Sequence, residues 1–178
     1  IFVDAFVIGE GEEDLLSMLE AIDKGQSTGV CKADILVAVA QIPGVYVPSF
    51  YEPQYDGEQF IGMQVLNDVV PARVQRQWVR HLDDYSGNSA IISGETEFEN
   101  MFIIEVARGC GRHCRFCMAG YCFRKPRARD LNKIIASIEQ RPTNSKKVGL
   151  MGAAVSDYPF INELTDFLVA HKIPFTVA

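Results

Sequence analysis

The fold is best predicted from residues 101–129, which read MFIIEVARGCGRHCRFCMAGYCFRKPRAR. Residues 101–107 are almost continuously apolar and of strand length, which is typical of a parallel strand covered on both faces. A long loop over residues 108–126 follows and carries four of the five cysteines. Asp130 can then N-cap a helix with an apolar stripe at helical spacing. A strand, a cysteine loop and a helix therefore follow one another.

The same order repeats towards the C-terminus. Residues 147–155 form a second apolar run, residues 159–170 have an amphipathic helical pattern, and residues 175–177 begin a third strand. Strands and helices that alternate at this spacing predict βαβ units and a parallel sheet. A closed barrel of eight such units needs about 250 residues. We therefore predict a partial parallel α/β sheet whose last strand leaves an open edge.

Residues 1–100 are less regular. An apolar strand over residues 1–8 leads through an acidic glycine loop into a helix, for which Gly25 is the expected C-cap. A second helix is predicted over residues 33–41. The stretch from residue 43 to 100 contains short strand patterns, prolines and loop residues, so we interpret it as an extended linker.

The composition excludes several classes of protein. The chain has 178 residues, a net charge of -6, 48% apolar residues and 22% charged residues, which excludes a disordered or low-complexity chain. No stretch approaches the roughly 20 apolar residues of a membrane span, and the start lacks the features of a secretion signal. We predict a cytoplasmic protein without a membrane partner. Because it starts without Met and ends in a strand, we expect a fragment of a longer protein.

Three cysteines of the loop, Cys110, Cys114 and Cys117, have the spacing CxxxCxxC. Their thiolates would repel one another unless a metal ion or cluster neutralised them. Thiolates are soft ligands that favour zinc or iron–sulfur clusters. Iron–sulfur clusters ordinarily take four cysteines, so a cluster held by three keeps one iron open for a reactant. Cys122 is an alternative ligand, but a fourth thiolate would block that iron.

A CxxxCxxC loop at the end of a strand that opens a βα sheet resembles the radical S-adenosylmethionine (radical SAM) enzymes. The resemblance implies that Cys110, Cys114 and Cys117 hold a 4Fe-4S cluster, whose fourth iron binds S-adenosylmethionine. The implied activity is that of an oxidoreductase, which cleaves S-adenosylmethionine reductively to methionine and a 5'-deoxyadenosyl radical that attacks a substrate. The substrate and the catalytic residues are not identified by it. We expect the fragment to be inactive alone.

The resemblance also implies contacts with S-adenosylmethionine. Phe116 matches the aromatic position beside the adenine, although packing of the loop is an equal alternative for its ring. Gly152 and Ala153 match a small-residue element after the second strand. That element lacks its usual acid here, and Ser156 or Asp157 is a candidate to replace it. Both of these residues also suit a turn or a helix cap.

Glu105 lies within the first strand among apolar neighbours. A carboxylate in such a place either faces the lumen of the barrel or pairs with a cation. Arg108, three residues further on, is the nearest candidate. We therefore predict a structural ion pair for Glu105.

The resemblance extends to a subgroup with an N-terminal domain of the cobalamin-binding type. It is carried by Asp4–Glu12, Pro43–Pro48 and the segment from residue 96 to Arg127, which includes Arg124. It implies three parts: the tail of a Rossmann-like domain over residues 1–42, the linker over 43–100 and the first part of a radical SAM barrel over 101–178. Cobalamin is implied only for the full-length parent, because the cobalt-binding histidine loop is not in this chain.

Two alternatives and one further partner belong to this interpretation. The cysteines could form a zinc-stabilised binding module together with His113 or Cys122. An RNA-modifying radical SAM enzyme is the second alternative, suggested by residues 108–129, here called the basic island, which carry seven basic and no acidic residues. We do not favour RNA, because the rest of the chain then has a charge of -13 and would repel phosphates. A reductant protein such as ferredoxin or flavodoxin is also implied.

Overall fold

The computed structural model describes residues 2–123 and 125–177. Arg124 of the basic island lies outside them. The chain forms two compact units, which meet in sequence between Val79 and Arg80. The predicted limits at residues 42 and 100 follow another criterion and stay predictions. No helix in the described ranges has the length and apolar character that crossing a membrane requires.

The first unit combines two helices with two antiparallel strand pairs. Its elements are β1 (Phe6–Val7), α1 (Asp14–Thr28), α2 (Lys32–Ala40), β2 (Val45–Tyr46), β3 (Tyr51–Asp56) and β4 (Gln59–Val65). β1 pairs with β2, and β3 forms a hairpin with β4. The core includes Val39, Ala40, Val45 and Val47, each at most 1% exposed. The region predicted as a linker, residues 43–100, contains short strands, and its longest strands are β3 and β4 of the hairpin.

The two helices of this unit test two predictions. The helix over residues 33–41 is confirmed as α2, whose Val39 and Ala40 are buried. Gly25 as the C-cap of α1 is wrong. The helix continues for another turn and ends at Gly29, which has the left-handed conformation (φ 71°) that glycine adopts without strain. Gly25 is instead buried inside the helix, against Ile35 of α2.

The second unit is built on a parallel sheet. Its elements are β5 (Met101–Glu105), β6 (Ala107–Arg108), α3 (Ala119–Cys122), β7 (Arg127–Ala128), α4 (Leu131–Glu139), β8 (Lys147–Met151), α5 (Ile161–Ala170) and β9 (Phe175–Val177). The strand order β5-β8-β9 is parallel throughout. Among the described residues β9 pairs only with β8 and is an edge strand. The parallel α/β sheet is therefore confirmed, whereas the barrel and the Rossmann-like domain stay predictions.

The core of this unit lies between the sheet and its two longer helices. Side chains alternate along a strand, so one face of the sheet supplies every second residue of β5 and β8 to the core. The strands contribute Phe102, Ile104, Val148 and Leu150, and the helices contribute Ile134, Ile138, Leu164 and Leu168. All eight are at most 2% exposed. The opposite face of β5 carries Met101, which is buried, and Ile103, which is half-buried, so partial cover of both faces accounts for its nearly continuous apolar run.

Two local contacts stabilise the start of α4 and the outer edge of β5. Asp130 caps α4 as predicted, because its carboxylate accepts hydrogen bonds from the backbone N–H groups of Asn132 and Lys133 at 2.9 and 3.2 Å. Residues 87–89 run antiparallel along the outer edge of β5. There the Ser89 N–H donates to the Ile103 carbonyl at 2.9 Å. This short segment covers the edge of β5 that the sheet leaves free.

Candidate functional site

The cysteines lie on a loop whose base is closed by a short ladder. β6 and β7 pair antiparallel, with Ala107 opposite Ala128 and Arg108 opposite Arg127. Inside the ladder the Cys110 N–H donates to the Phe123 carbonyl at 2.9 Å. Gly109 has a φ of 89°, and a Cβ there would lie 2.6 Å from the same carbonyl oxygen, so this turn requires glycine. Residues 109–126, here called the cysteine loop, are thus held together at their ends.

The cysteine loop stands at the carboxyl end of the sheet. β5 ends at Glu105, and the Val106 N–H still donates to the Met151 carbonyl of β8 at 2.9 Å. Gly152, the residue after β8, packs so closely on the Ala107 carbonyl that a Cβ would lie 2.9 Å from its oxygen. Open α/β sheets bind ligands at the carboxyl ends of their strands. The loop and the turn after β8 therefore lie where a ligand is expected.

The three predicted ligands differ in exposure. Cys110 is buried, at 9% exposure, and its sulfur accepts a hydrogen bond from the Arg112 N–H at 3.4 Å. Cys117 is half-buried and Cys114 is exposed. The Cys117 N–H donates to the Cys114 carbonyl at 3.1 Å. Cys122, at the end of α3, is exposed, and all four are free thiols.

Sharing a loop does not bring these side chains into a metal site. Within residues 2–123 and 125–177, no three side chains of the types His, Cys, Asp or Glu are grouped so that they could hold a metal ion. The donor set itself suits a soft metal or an iron–sulfur cluster, because it offers three thiols and no hard oxygen ligand between them. The chemistry of the residues thus fits a cluster, while the ligand assignment stays a prediction.

The predicted S-adenosylmethionine contacts surround the same edge of the sheet. The Phe116 side chain is 94% exposed, so the ring does not serve the packing of the loop. Ala153 is exposed, and Gly152 is half-buried beside Ala107. Ser156 lies in a 3-10 turn over Val155–Asp157. The structure therefore gives Ser156 a turn position, and its contact with S-adenosylmethionine stays a prediction.

An ion pair that the sequence did not predict joins the cysteine loop to the turn after β8. The Arg112 guanidinium donates from Nε and Nη2 to the two carboxylate oxygens of Asp157, at 2.8 and 2.6 Å. The hydrogen bond from Arg112 lowers the pKa of Asp157, although partial desolvation opposes the shift. The same bond raises the pKa of Arg112. No spacing rule could have found this pair, because the residues are 45 positions apart.

The predicted ion pair of Glu105 is confirmed and proves to be a triad. Arg108 donates to Glu105 at 2.8 and 3.0 Å, and Arg129 donates to it at 2.7 Å. Burial alone would raise the pKa of Glu105, but the hydrogen bonds from the two arginines prevail and lower it. Arg129 is 5% exposed and also donates to the carbonyls of Leu82 and Tyr85. Arg129 thus anchors the segment before β5 to the strand.

These contacts neutralise part of the basic island. Arg108 and Arg129 share the charge of Glu105, and Arg112 pairs with Asp157. Two carboxylates therefore offset two of the positive charges of these three arginines inside the same unit, which leaves less positive charge for phosphates. RNA binding stays a prediction that we do not favour.

Comparison with known proteins finds similarity to a family model and to a relative. Residues 1–48 match the model of the family described as "Radical SAM proteins, N-terminal". A protein of Methanocaldococcus jannaschii, named as uncharacterized, is 38% identical over 78 residues, which are 43% of this chain and 18% of that protein. The chain thus matches less than a fifth of that relative's length. The family match ends before the cysteine loop, so it does not test the ligands, and it says nothing of cobalamin. It supports a radical SAM family for this chain.

Proposed function

We propose that the chain carries the cluster-binding part of a radical SAM enzyme and that Cys110, Cys114 and Cys117 are the three cluster ligands. Two independent observations support this. The first 48 residues resemble a radical SAM N-terminal region, and the only CxxxCxxC spacing of the sequence follows the first strand of a parallel sheet. Reductive cleavage of S-adenosylmethionine is the chemistry that a 4Fe-4S cluster with three protein ligands supplies in this family.

The three thiols have different tasks in this proposal. Cys110 is the fixed ligand, because its backbone is bonded to Phe123 and its side chain is buried. Cys114 and Cys117 are less held by packing. In this proposal the β6–β7 ladder keeps the base of the loop closed, and the described side chains form no metal-ligand group without the cluster. Cys122 is not a ligand in this scheme.

The turn after β8 forms the other half of the proposed site. Backbone groups at Gly152 and Ala153 and the hydroxyl of Ser156 are proposed to contact S-adenosylmethionine, and the exposed ring of Phe116 is proposed to cover its adenine. The small residues let a ligand approach the backbone closely. The substrate, a ferredoxin or flavodoxin as reductant, and cobalamin in the parent protein remain proposals on the same footing.

Anaerobic reconstitution of single variants tests the ligand assignment. Cys110→Ala, Cys114→Ala and Cys117→Ala should each lose bound iron and sulfide and the brown colour of a cluster. Cys122→Ala is the matched control, because it removes an exposed thiol of the same loop and should retain the cluster. Equal loss in all four variants would overturn the three-ligand assignment. A colourless protein that retains zinc through Cys122 or His113 would favour the binding module instead.

A further inference from the structure

A two-point ion pair joins the cysteine loop to the turn after β8. Arg112 Nε donates to Asp157 Oδ2 at 2.8 Å, and Arg112 Nη2 donates to Asp157 Oδ1 at 2.6 Å. The planar guanidinium matches a carboxylate in this fork geometry, which fixes orientation as well as distance. Both oxygens of Asp157 are therefore engaged by Arg112.

The core fixes the Asp157 end of this pair. Asp157 stands between Val155 and Tyr158, which are 3% and 2% exposed. Its N–H donates to the Ala154 carbonyl at 3.0 Å. The hydroxyl of Tyr158 donates to the Arg129 carbonyl at 2.9 Å. The carboxylate thus projects from a turn that packing holds in place.

The Arg112 end contacts two parts of the cysteine loop. Its N–H donates to the sulfur of Cys110 at 3.4 Å. Its carbonyl oxygen lies so close to Gly120 that a Cβ there would approach it to 2.2 Å. Gly120 belongs to α3 and is buried. A fixed Arg112 therefore links Cys110, near the start of the loop, to Gly120 of α3.

We infer that Arg112 and Asp157 form a positioning clip, which holds the cysteine loop against the turn that carries Gly152 and Ser156. The inference rests on the proposed function, because these are the two halves of the proposed S-adenosylmethionine site. It assigns Asp157 to Arg112 and not to the amino group of S-adenosylmethionine. The clip acts on the loop alone, since an ion pair this exposed adds little to global stability.

Hydrogen exchange of the chain without cluster tests the clip itself. Arg112→Asp and Asp157→Arg should each speed exchange of the bonded amides in the cysteine loop by about two- to five-fold, the range expected for an exposed ion pair. The double variant, which exchanges the two charges, should restore the slow rate. Arg115→Asp is the matched control, because it makes the same charge change at an exposed position of the loop. Unchanged exchange in both single variants, or an equal effect of Arg115→Asp, would overturn the clip.

A titration of the reconstituted chain with S-adenosylmethionine tests its role in the site. The electron paramagnetic resonance spectrum of the reduced cluster should change on binding. The apparent Kd should rise by about two- to five-fold in each single variant and return in the double variant. Rescue of exchange without rescue of binding would mean that Asp157 contacts the ligand directly, which would overturn the positioning role. A wild-type chain that takes up no cluster would refute the proposed function, whereas the exchange data would still decide the clip.

Discussion

Replacing Glu105 by Gln removes the negative charge of the triad while keeping the shape of the side chain. Glu105 accepts three hydrogen bonds, at 2.7 to 3.0 Å, from the guanidinium groups of Arg108 and Arg129. Such charged hydrogen bonds contribute about 1.5–3 kcal/mol each. Gln keeps one acceptor oxygen and turns an amide N–H towards the buried guanidinium of Arg129. With the Glu105 side chain 21% exposed, we expect a loss of about 3 kcal/mol, the lower end for a broken buried pair.

Urea unfolding at pH 7 measures this loss. Trp78 is the single tryptophan and lies in the first unit, so its fluorescence serves as an internal reference. The transition of the second unit, followed by far-ultraviolet circular dichroism, should move to lower urea with an unchanged slope. Glu99→Gln is the matched control: its pair with Lys146 spans 3.8 Å with both side chains mostly exposed, so it should lose less than about 0.5 kcal/mol.

The pH dependence of the free energy of unfolding tests the direction of the Glu105 contribution. The pKa of Glu105 in the folded chain lies below its ordinary value of 4.5. Its contribution to stability is therefore complete above pH 4.5 and is lost as the pH falls through the folded pKa. The difference between wild type and Glu105→Gln should shrink on acidification and disappear once the carboxylate is protonated. A loss below about 1 kcal/mol, the value of a surface pair, or a loss that does not depend on pH, would refute the reasoning.

Three further substitutions test other parts of the second unit. Asp130→Ala removes the cap of α4 and should cost about 1 kcal/mol in the same urea titration; an unchanged midpoint would contradict the cap. Tyr158→Phe loses the bond to the Arg129 carbonyl and should cost about 1 kcal/mol at pH 7. Because burial, with nearby carboxylates, raises the pKa of Tyr158 from 10.0 to about 12, the wild-type advantage should fade between those pH values, and an advantage that persists would count against it. Gly87→Ala sets a Cβ 2.4 Å from the Arg129 guanidinium and should cost about 1–3 kcal/mol; a neutral result in thermal melting would show that Arg129 can move.

The parallel sheet could be predicted because its information is local. Each strand is a short apolar run, each helix has an apolar stripe, and Asp130 stands where a cap is needed. The end of α1 could not be predicted from glycine alone, since Gly25 and Gly29 both suit a helix end. Packing decides between them, because Gly25 meets Ile35 of the next helix.

The sequence supplies candidate ligands for the site, which stay predictions, but not the contacts that hold the loop in place. The CxxxCxxC spacing identifies the candidate thiols without any structure. The β6–β7 ladder has only two residues in each strand, too few for a sequence pattern. The pairs of Asp157 with Arg112 and of Glu105 with Arg129 join residues that are 45 and 24 positions apart. Contacts of this kind depend on the tertiary fold, which brings separate loops to one edge of the sheet.

The electron paramagnetic resonance spectrum of the wild-type chain tests the central claim most directly. The chain is reconstituted without oxygen, reduced with dithionite and measured before and after addition of S-adenosylmethionine. The three-ligand account predicts the signal of a reduced 4Fe-4S cluster that changes when S-adenosylmethionine binds. A silent, colourless protein, or a cluster signal that S-adenosylmethionine leaves unchanged, would contradict it.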